Sequence, residues 1–135
     1  MSNILSTDNQ KPLVLVIDDE MIFFQLVSMI CSNYDFEWWD NGVQGIQAIQ
    51  SNEAAVSLII LDYNLSEGIT GLEALESIRS LWPTLPILMW SGHHDVESQA
   101  FAKGVTAFIK KPFDPEVLEA LIEKLLELSD KKEPI

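Results

Sequence analysis

The side chains that could do chemistry in this sequence stand directly after short apolar runs. Asp18 and Asp19, with Glu20 behind them, follow residues 13–17, and Asp62 follows residues 56–61. Ser91 follows residues 86–90, and Lys110 and Lys111 follow residues 105–109. Carboxylates brought together raise one another's pKa values. A hard divalent cation such as Mg²⁺ relieves that repulsion, taking oxygen ligands from a few carboxylates and keeping waters that phosphoryl oxygens can replace. A lysine adds a compact positive charge for those oxygens, and a serine adds a hydrogen bond. In such company Asp62 is a carboxylate nucleophile toward phosphorus, giving an aspartyl phosphate, with cation and lysine offsetting charge on the transferring group. Each piece alone has a plainer use: the acidic pair as a helix or turn cap, Ser91 and Gly92 as a turn, Lys111 and Pro112 as a loop. Four such pieces, all at run ends and in this order, point to one site.

These residues meet only if the runs are strands of one sheet. Residues 13–17, 56–61, 86–90 and 105–109 are short and apolar but for Ser57 and Thr106, as strands buried on both faces of a parallel sheet are. Residues 35–39 make a weaker strand, closed by the turn signal Asp40, Asn41, Gly42. Helical stretches over 21–32, 43–51, 71–82 and 95–103 alternate with the strands. Leu72, Leu75, Ile78 and Trp82 recur at helical spacing until Pro83 stops them, and Gly104 suits a helix end. The last helix has Asp114 as N-cap, Pro115 at its first position and Glu116 at its positive end. Val117, Leu118, Leu121, Ile122, Leu125 and Leu126 form its apolar stripe, with Glu119, Glu123, Lys124 and Glu127 toward water. Five strands alternating with five helices predict an α/β fold, a central five-stranded parallel sheet with helices on both faces. Ligands of such sheets bind outside the carboxyl ends of the strands, where the reactive side chains stand. Residues 1–11 read as a flexible lead, 12–129 as the domain and 130–135 as a fraying tail.

Composition narrows the function further. A length of 135 residues suits one domain, and 47% hydrophobic residues argue against disorder. The formal net charge of −13, from 21 acidic and 8 basic residues, opposes binding to nucleic acid or to an anionic membrane. Cys31 is the single cysteine, so no internal disulfide forms, and its apolar surroundings predict a buried, inert thiol. No run has the length of a membrane span, and residues 1–10 lack a signal pattern, so the chain reads as cytoplasmic. The Met1 start and the charged tail read as a stand-alone protein rather than a piece excised from a longer chain.

Taken together, residues 14–20, Leu61 and Asp62, Gly71 to Glu73, Ser91 and Gly92, and Gly104 through Phe113 resemble the response-regulator receiver family of two-component signalling, from about residue 13 to 128. The chain is most similar in layout to stand-alone, chemotaxis-regulator-like members. The resemblance implies a flavodoxin-like, doubly wound three-layer fold. It implies Asp62 as phosphoacceptor, with Asp18, Asp19, Asp62 and the backbone carbonyl of Asn64 holding Mg²⁺ or Mn²⁺, Asp19 more directly than Asp18. Ser91 matches the switch hydroxyl, Phe108 the aromatic that rotates with it, and Lys111, before Pro112, the site lysine; the bond joining those two is cis in the family. Implied partners are a sensor histidine kinase or a histidine phosphotransfer protein, with output through protein contact, as a monomer or a weak phosphorylation-linked dimer. In place of the usual proline Ser66 stands four residues past Asp62, and Gly71 lies nine residues past it rather than eight.

His93 and His94 follow Ser91, and the plain reading is a loop that starts a helix. In receivers the residues two past the acceptor and two past the switch flank the phosphoryl group, which makes Asn64 and His93 candidates for tuning its hydrolysis. Phe23 and Phe24 are adjacent, so one is expected to be exposed near the site; the same holds for Trp38 and Trp39 on an edge strand. Trp82 is expected to pack and Trp90 to be partly buried. Two rival functions come from other classes. A Mg²⁺-dependent phosphohydrolase would want a second acid two residues past Asp62, where Asn64 stands. A flavodoxin-like cofactor binder would want a glycine- or hydroxyl-rich phosphate loop where Asp18, Asp19 and Glu20 stand; an unphosphorylated interaction module remains distinguished by whether Asp62 accepts phosphate.

Overall fold

The computed structural model describes residues 11–93 and 95–131. Most of the predicted lead, the last four residues of the tail and His94 lie outside the described residues. Strands β1 (Leu13–Ile17), β2 (Asp35–Trp39), β3 (Val56–Asp62), β4 (Ile87–Ser91) and β5 (Ala107–Lys110) alternate with helices α1 (Met21–Ile30), α2 (Gly42–Ser51), α3 (Gly71–Leu81), α4 (Glu97–Ala102) and α5 (Pro115–Lys131). All pairings are parallel, in the order β2-β1-β3-β4-β5. The chain therefore winds outward one way from β1 to β2 and the other way from β3 onward. That reversal leaves a crevice between the carboxyl ends of β1 and β3.

The continuous apolar runs follow from burial on both faces. Leu15, Ile17, Ile59, Leu61, Ile87 and Met89 face one layer, with Ile49, Leu75 and Ile78 packed on them from α2 and α3. The alternate residues Val14, Val16, Leu58, Ile60, Leu88 and Trp90 face the other, against Val27 of α1 and Leu118, Ile122 and Leu125 of α5. Cys31 is buried at the end of α1, where burial pushes its thiol up to about 11, the inert group expected. Arg79 fastens the sheet rim opposite the crevice. Its guanidinium donates to the carbonyls of Gly104, Trp82 and Leu85 and to Thr106 Oγ1. Gly104 ends the turn after α4 at φ 100°, a conformation suited to glycine. Among the described residues no helix is long and apolar enough to cross a membrane.

Several exposures differ from expectation. Trp38 and Trp39 do point to opposite faces, but a helical layer covers each face, so neither is exposed. The same holds for Phe23 and Phe24: Phe24 stacks on Trp38 at 6.0 Å, and Phe23 leans on Trp90 and Phe113. The apolar side chains that α1 does expose are Met21, Ile22, Leu26 and Met29. Trp90 is fully rather than partly buried. Val117 is 55% exposed, because Leu118, one residue on, takes the core-facing position and leaves it at the margin of the stripe. α1 ends at Ile30, short of residue 32, and α4 is six residues against nine expected. β3 and β4 run one residue further than predicted, taking Asp62 and Ser91 into the sheet.

Candidate functional site

Parallel pairing aligns the strand ends. Ile17 lies opposite Leu61, so Asp18 and Asp62 are carried to neighbouring ends of β1 and β3. Asp62 pairs with Trp90, and Ser91 pairs with Lys110, one residue before Lys111. The Lys111 amide donates to the Ser91 carbonyl at 2.8 Å, which extends the β4–β5 pairing past the strand end. The Lys111–Pro112 bond is cis. Lys110 is exposed, whereas the Lys111 side chain is only 11% exposed and turns inward.

The Lys111 ammonium donates to Asp18 Oδ2 at 3.1 Å and to Asp62 Oδ1 at 3.4 Å. It also lies 3.7 Å from the centre of the Phe23 ring, a cation–π contact. Asp18 and Asp62 are buried, and Asp19 is half-buried. Burial, and then the charge of Asp18, push the Asp62 carboxyl from 3.8 up to about 7; Lys111 and the Asn64 backbone N–H hold the rise back. One oxygen from each of Asp18, Asp19 and Glu20 lies within 4.8 Å of the others. Such an all-oxygen, acid-rich donor set fits Mg²⁺ or Mn²⁺ rather than a soft metal.

Ser91 is buried, and its Oγ accepts the His93 backbone N–H at 2.9 Å. Asn64 Nδ2 donates to His93 Nε2 at 3.2 Å, linking the loops after β3 and β4. The loop after β3 turns at Gly68, whose φ is 76°. It closes where the Gly71 amide donates to the Tyr63 carbonyl, and Thr70 and Glu73 form a capping box that starts α3. Asn64 thus stays at the site despite Ser66 and the longer loop. Asp19, Glu20, Phe23, Asp62, Asn64, His93 and Lys111 all line one open cleft of ≈ 750 Å³, room for a phosphoryl group with a hydrated cation. Phe108 lies outside it, half-buried and opposite Met89, on the α2–α3 side of the sheet.

Three residues near the chemistry take parts that the sequence reading did not give them. Glu20 joins the acidic cluster, and Phe23 underlies the lysine. Trp90 donates its indole N–H to Asp18 Oδ2 at 2.8 Å. A usable signal existed for Trp90: a tryptophan in a fully buried strand must find an acceptor, and it stands directly before Ser91.

The model for the response regulator receiver domain matches residues 14–123, from inside β1 into α5. The chemotaxis protein CheY of Listeria monocytogenes is 33% identical over 112 residues, covering 80% of this chain and 93% of that protein. An NtrX-like response regulator of Rickettsia typhi is 32% identical over 127 residues, 88% of this chain but 26% of its own length. Among solved structures, NtrX from Brucella abortus aligns with a TM-score of 0.81 at 33% identity, over 91% of this chain and 29% of that one. A CheY-like receiver domain protein from Methanospirillum hungatei aligns at 0.82 over 92% of this chain and all of its own, and at 23% identity attests the fold alone. The match thus takes in every strand and the crevice residues between them, and this chain belongs to the response-regulator receiver domain family of two-component systems.

Proposed function

We propose that the chain takes up a phosphoryl group on Asp62 from a phosphohistidine of a sensor kinase or phosphotransfer protein. A carboxylate oxygen of Asp62 forms the new P–O bond as the P–N bond breaks, and the freed imidazole takes a proton from water. Lys111 offsets charge on the transferring oxygens, and Ser91 turns its hydroxyl toward them. Asp18, Asp19, Asp62 and the Asn64 carbonyl would hold Mg²⁺ or Mn²⁺, with Glu20 beside them. When bound, that cation supplies positive charge to the carboxylates and the phosphoryl oxygens. Asn64 and His93 flank the acceptor and limit water's access to it. Phe108 repacks as Ser91 moves, and the change is read by a protein partner as a two-state population shift. The domain comprises residues 12–129 and acts in the cytoplasm as a signalling module, not a turnover enzyme, free of nucleic acid and membrane and at most weakly dimeric.

The observation that carries this reading is Lys111 Nζ within 3.4 Å of the buried Asp62 and 3.1 Å of Asp18. Intact mass after incubation with acetyl phosphate and Mg²⁺ is the test. One phosphoryl group is gained by the wild-type chain and none by Asp62→Asn. A wild-type chain that gains none overturns the proposal.

A further inference from the structure

Asp18 is the most enclosed carboxylate of the site, and its donors are unequal. Oδ1 accepts the Glu20 amide at 2.8 Å. Oδ2 accepts both the Lys111 ammonium at 3.1 Å and the Trp90 indole at 2.8 Å. These three bonds occupy three of about four lone-pair positions of a carboxylate. The free position is on Oδ1, the oxygen that Trp90 and Lys111 leave alone. Lys111 divides its contacts between Asp18 and Asp62 and, on the receiver reading, serves the phosphoryl oxygens as well. The indole is neither charged nor mobile. Trp90 is fully buried, stacks on Phe113 at 5.6 Å and 12°, and meets Phe23 at 5.8 Å. It reaches Asp18 from β4 although β3 lies between β4 and β1, a span of about two strand spacings, roughly 9.6 Å.

We infer that Trp90 is a positioning residue for the divalent cation: its indole N–H fixes the Asp18 carboxylate so that Oδ1 is presented to the acidic cluster. The inference rests on the receiver reading above and adds to it a residue that touches neither cation nor phosphoryl group. A tryptophan buried only for packing would need an acceptor too, but any acceptor would serve. Here the acceptor is a carboxylate of the site, one oxygen of which is shared with the site lysine. Removing a hydrogen-bond partner that orients a metal ligand costs about 10–100-fold in metal affinity. The indole does not bear on phosphoryl transfer once the cation is bound.

Two variants of the full chain test this: Trp90→Phe, and replacement of Trp90 by benzothienylalanine, which keeps the bicyclic shape and lacks only the N–H. Mg²⁺ affinity is measured by titration calorimetry, and phosphorylation by acetyl phosphate is measured across Mg²⁺ concentration. The inference expects the Mg²⁺ dissociation constant to rise about tenfold or more in the isostere, with the rate at saturating Mg²⁺ within about twofold of wild type. Should Trp90→Phe lose its fold, the isostere decides. An isostere that binds Mg²⁺ as wild type does overturns the role of Trp90 and leaves the receiver reading standing. A wild-type chain that neither binds Mg²⁺ nor gains a phosphoryl group overturns both.

Discussion

Asp62 gives up its proton near pH 7 in the folded, metal-free protein and near 3.8 when unfolded. Between those values the folded state binds more protons than the unfolded one, so stability falls as pH rises through about 4 to 7. The cost of the buried charge is complete above that window. Asp62→Asn removes it and is expected to stabilise the metal-free protein by roughly 2–4 kcal/mol at about pH 8.5, and by much less at about pH 5. Urea unfolding in a chelator at the two pH values checks the sign. His93 is the second residue with a measurable share. With Asn64 it bridges the two loops beside the acceptor, and Tyr63 meets its ring edge-on at 5.4 Å. His93→Ala opens that bridge to water and is expected to speed loss of the aspartyl phosphate about threefold to tenfold; an unchanged decay rate removes the idea. At this scale the sequence reveals charged and hydroxyl groups well, because strand ends are visible as ends of apolar runs. The bond of Trp90 to Asp18 stays hidden, since a buried aromatic reads as core until its neighbour across the sheet is known; Phe23, one of a pair expected to expose a ring near the site, instead lies under Lys111.

The elements set these residues in place through a few close contacts. α3 begins hard against the end of β3: a Cβ on Gly71 would lie 2.4 Å from the Asp62 carbonyl oxygen and 2.5 Å from that of Tyr63. Both atoms are backbone, so relief requires moving the strand end that carries Asp62. Gly71→Ala is expected to destabilise the fold by about 2 kcal/mol or more and to slow phosphorylation of whatever remains folded. Denaturant midpoints and the acetyl phosphate assay separate the two effects. Strand positions were legible to within about two residues, because both faces of the sheet demand apolar side chains. Helix ends were legible to about the same margin. α4 shrinks to six residues because it starts two residues late, at Glu97 after Val96, which supplies no side-chain cap, and ends one early, at Ala102.

Across the whole molecule the acid excess governs. With a net charge of −13, self-repulsion opposes compaction, and the crevice concentrates part of it. Raising NaCl from low ionic strength to about 0.2 M shortens the screening length below 10 Å and is expected to raise the melting temperature in the absence of divalent cations. A flat or falling dependence on salt would contradict this account. The α/β order, a parallel sheet covered on both faces and the convergence of four strand ends were readable, since alternation and burial on two faces admit few arrangements, while the doubly wound order came with the family resemblance. Exposure was not: the two tryptophan and phenylalanine pairs and Val117 depend on how far each helix shields its neighbours, which no one-dimensional pattern contains.

The guanidinium of Arg79 gathers the start of β4 and the approach to β5 at the rim farthest from the crevice. It grips Gly104, where α4 hands over to the last strand, while the other end of that helix adjoins the loop that follows Ser91 and carries His93. A rod tethered at one tip cannot glide along its bed. On the receiver reading, a displacement of the Ser91 hydroxyl would therefore be expected to swing α4 about its Gly104 end, the end that Arg79 holds.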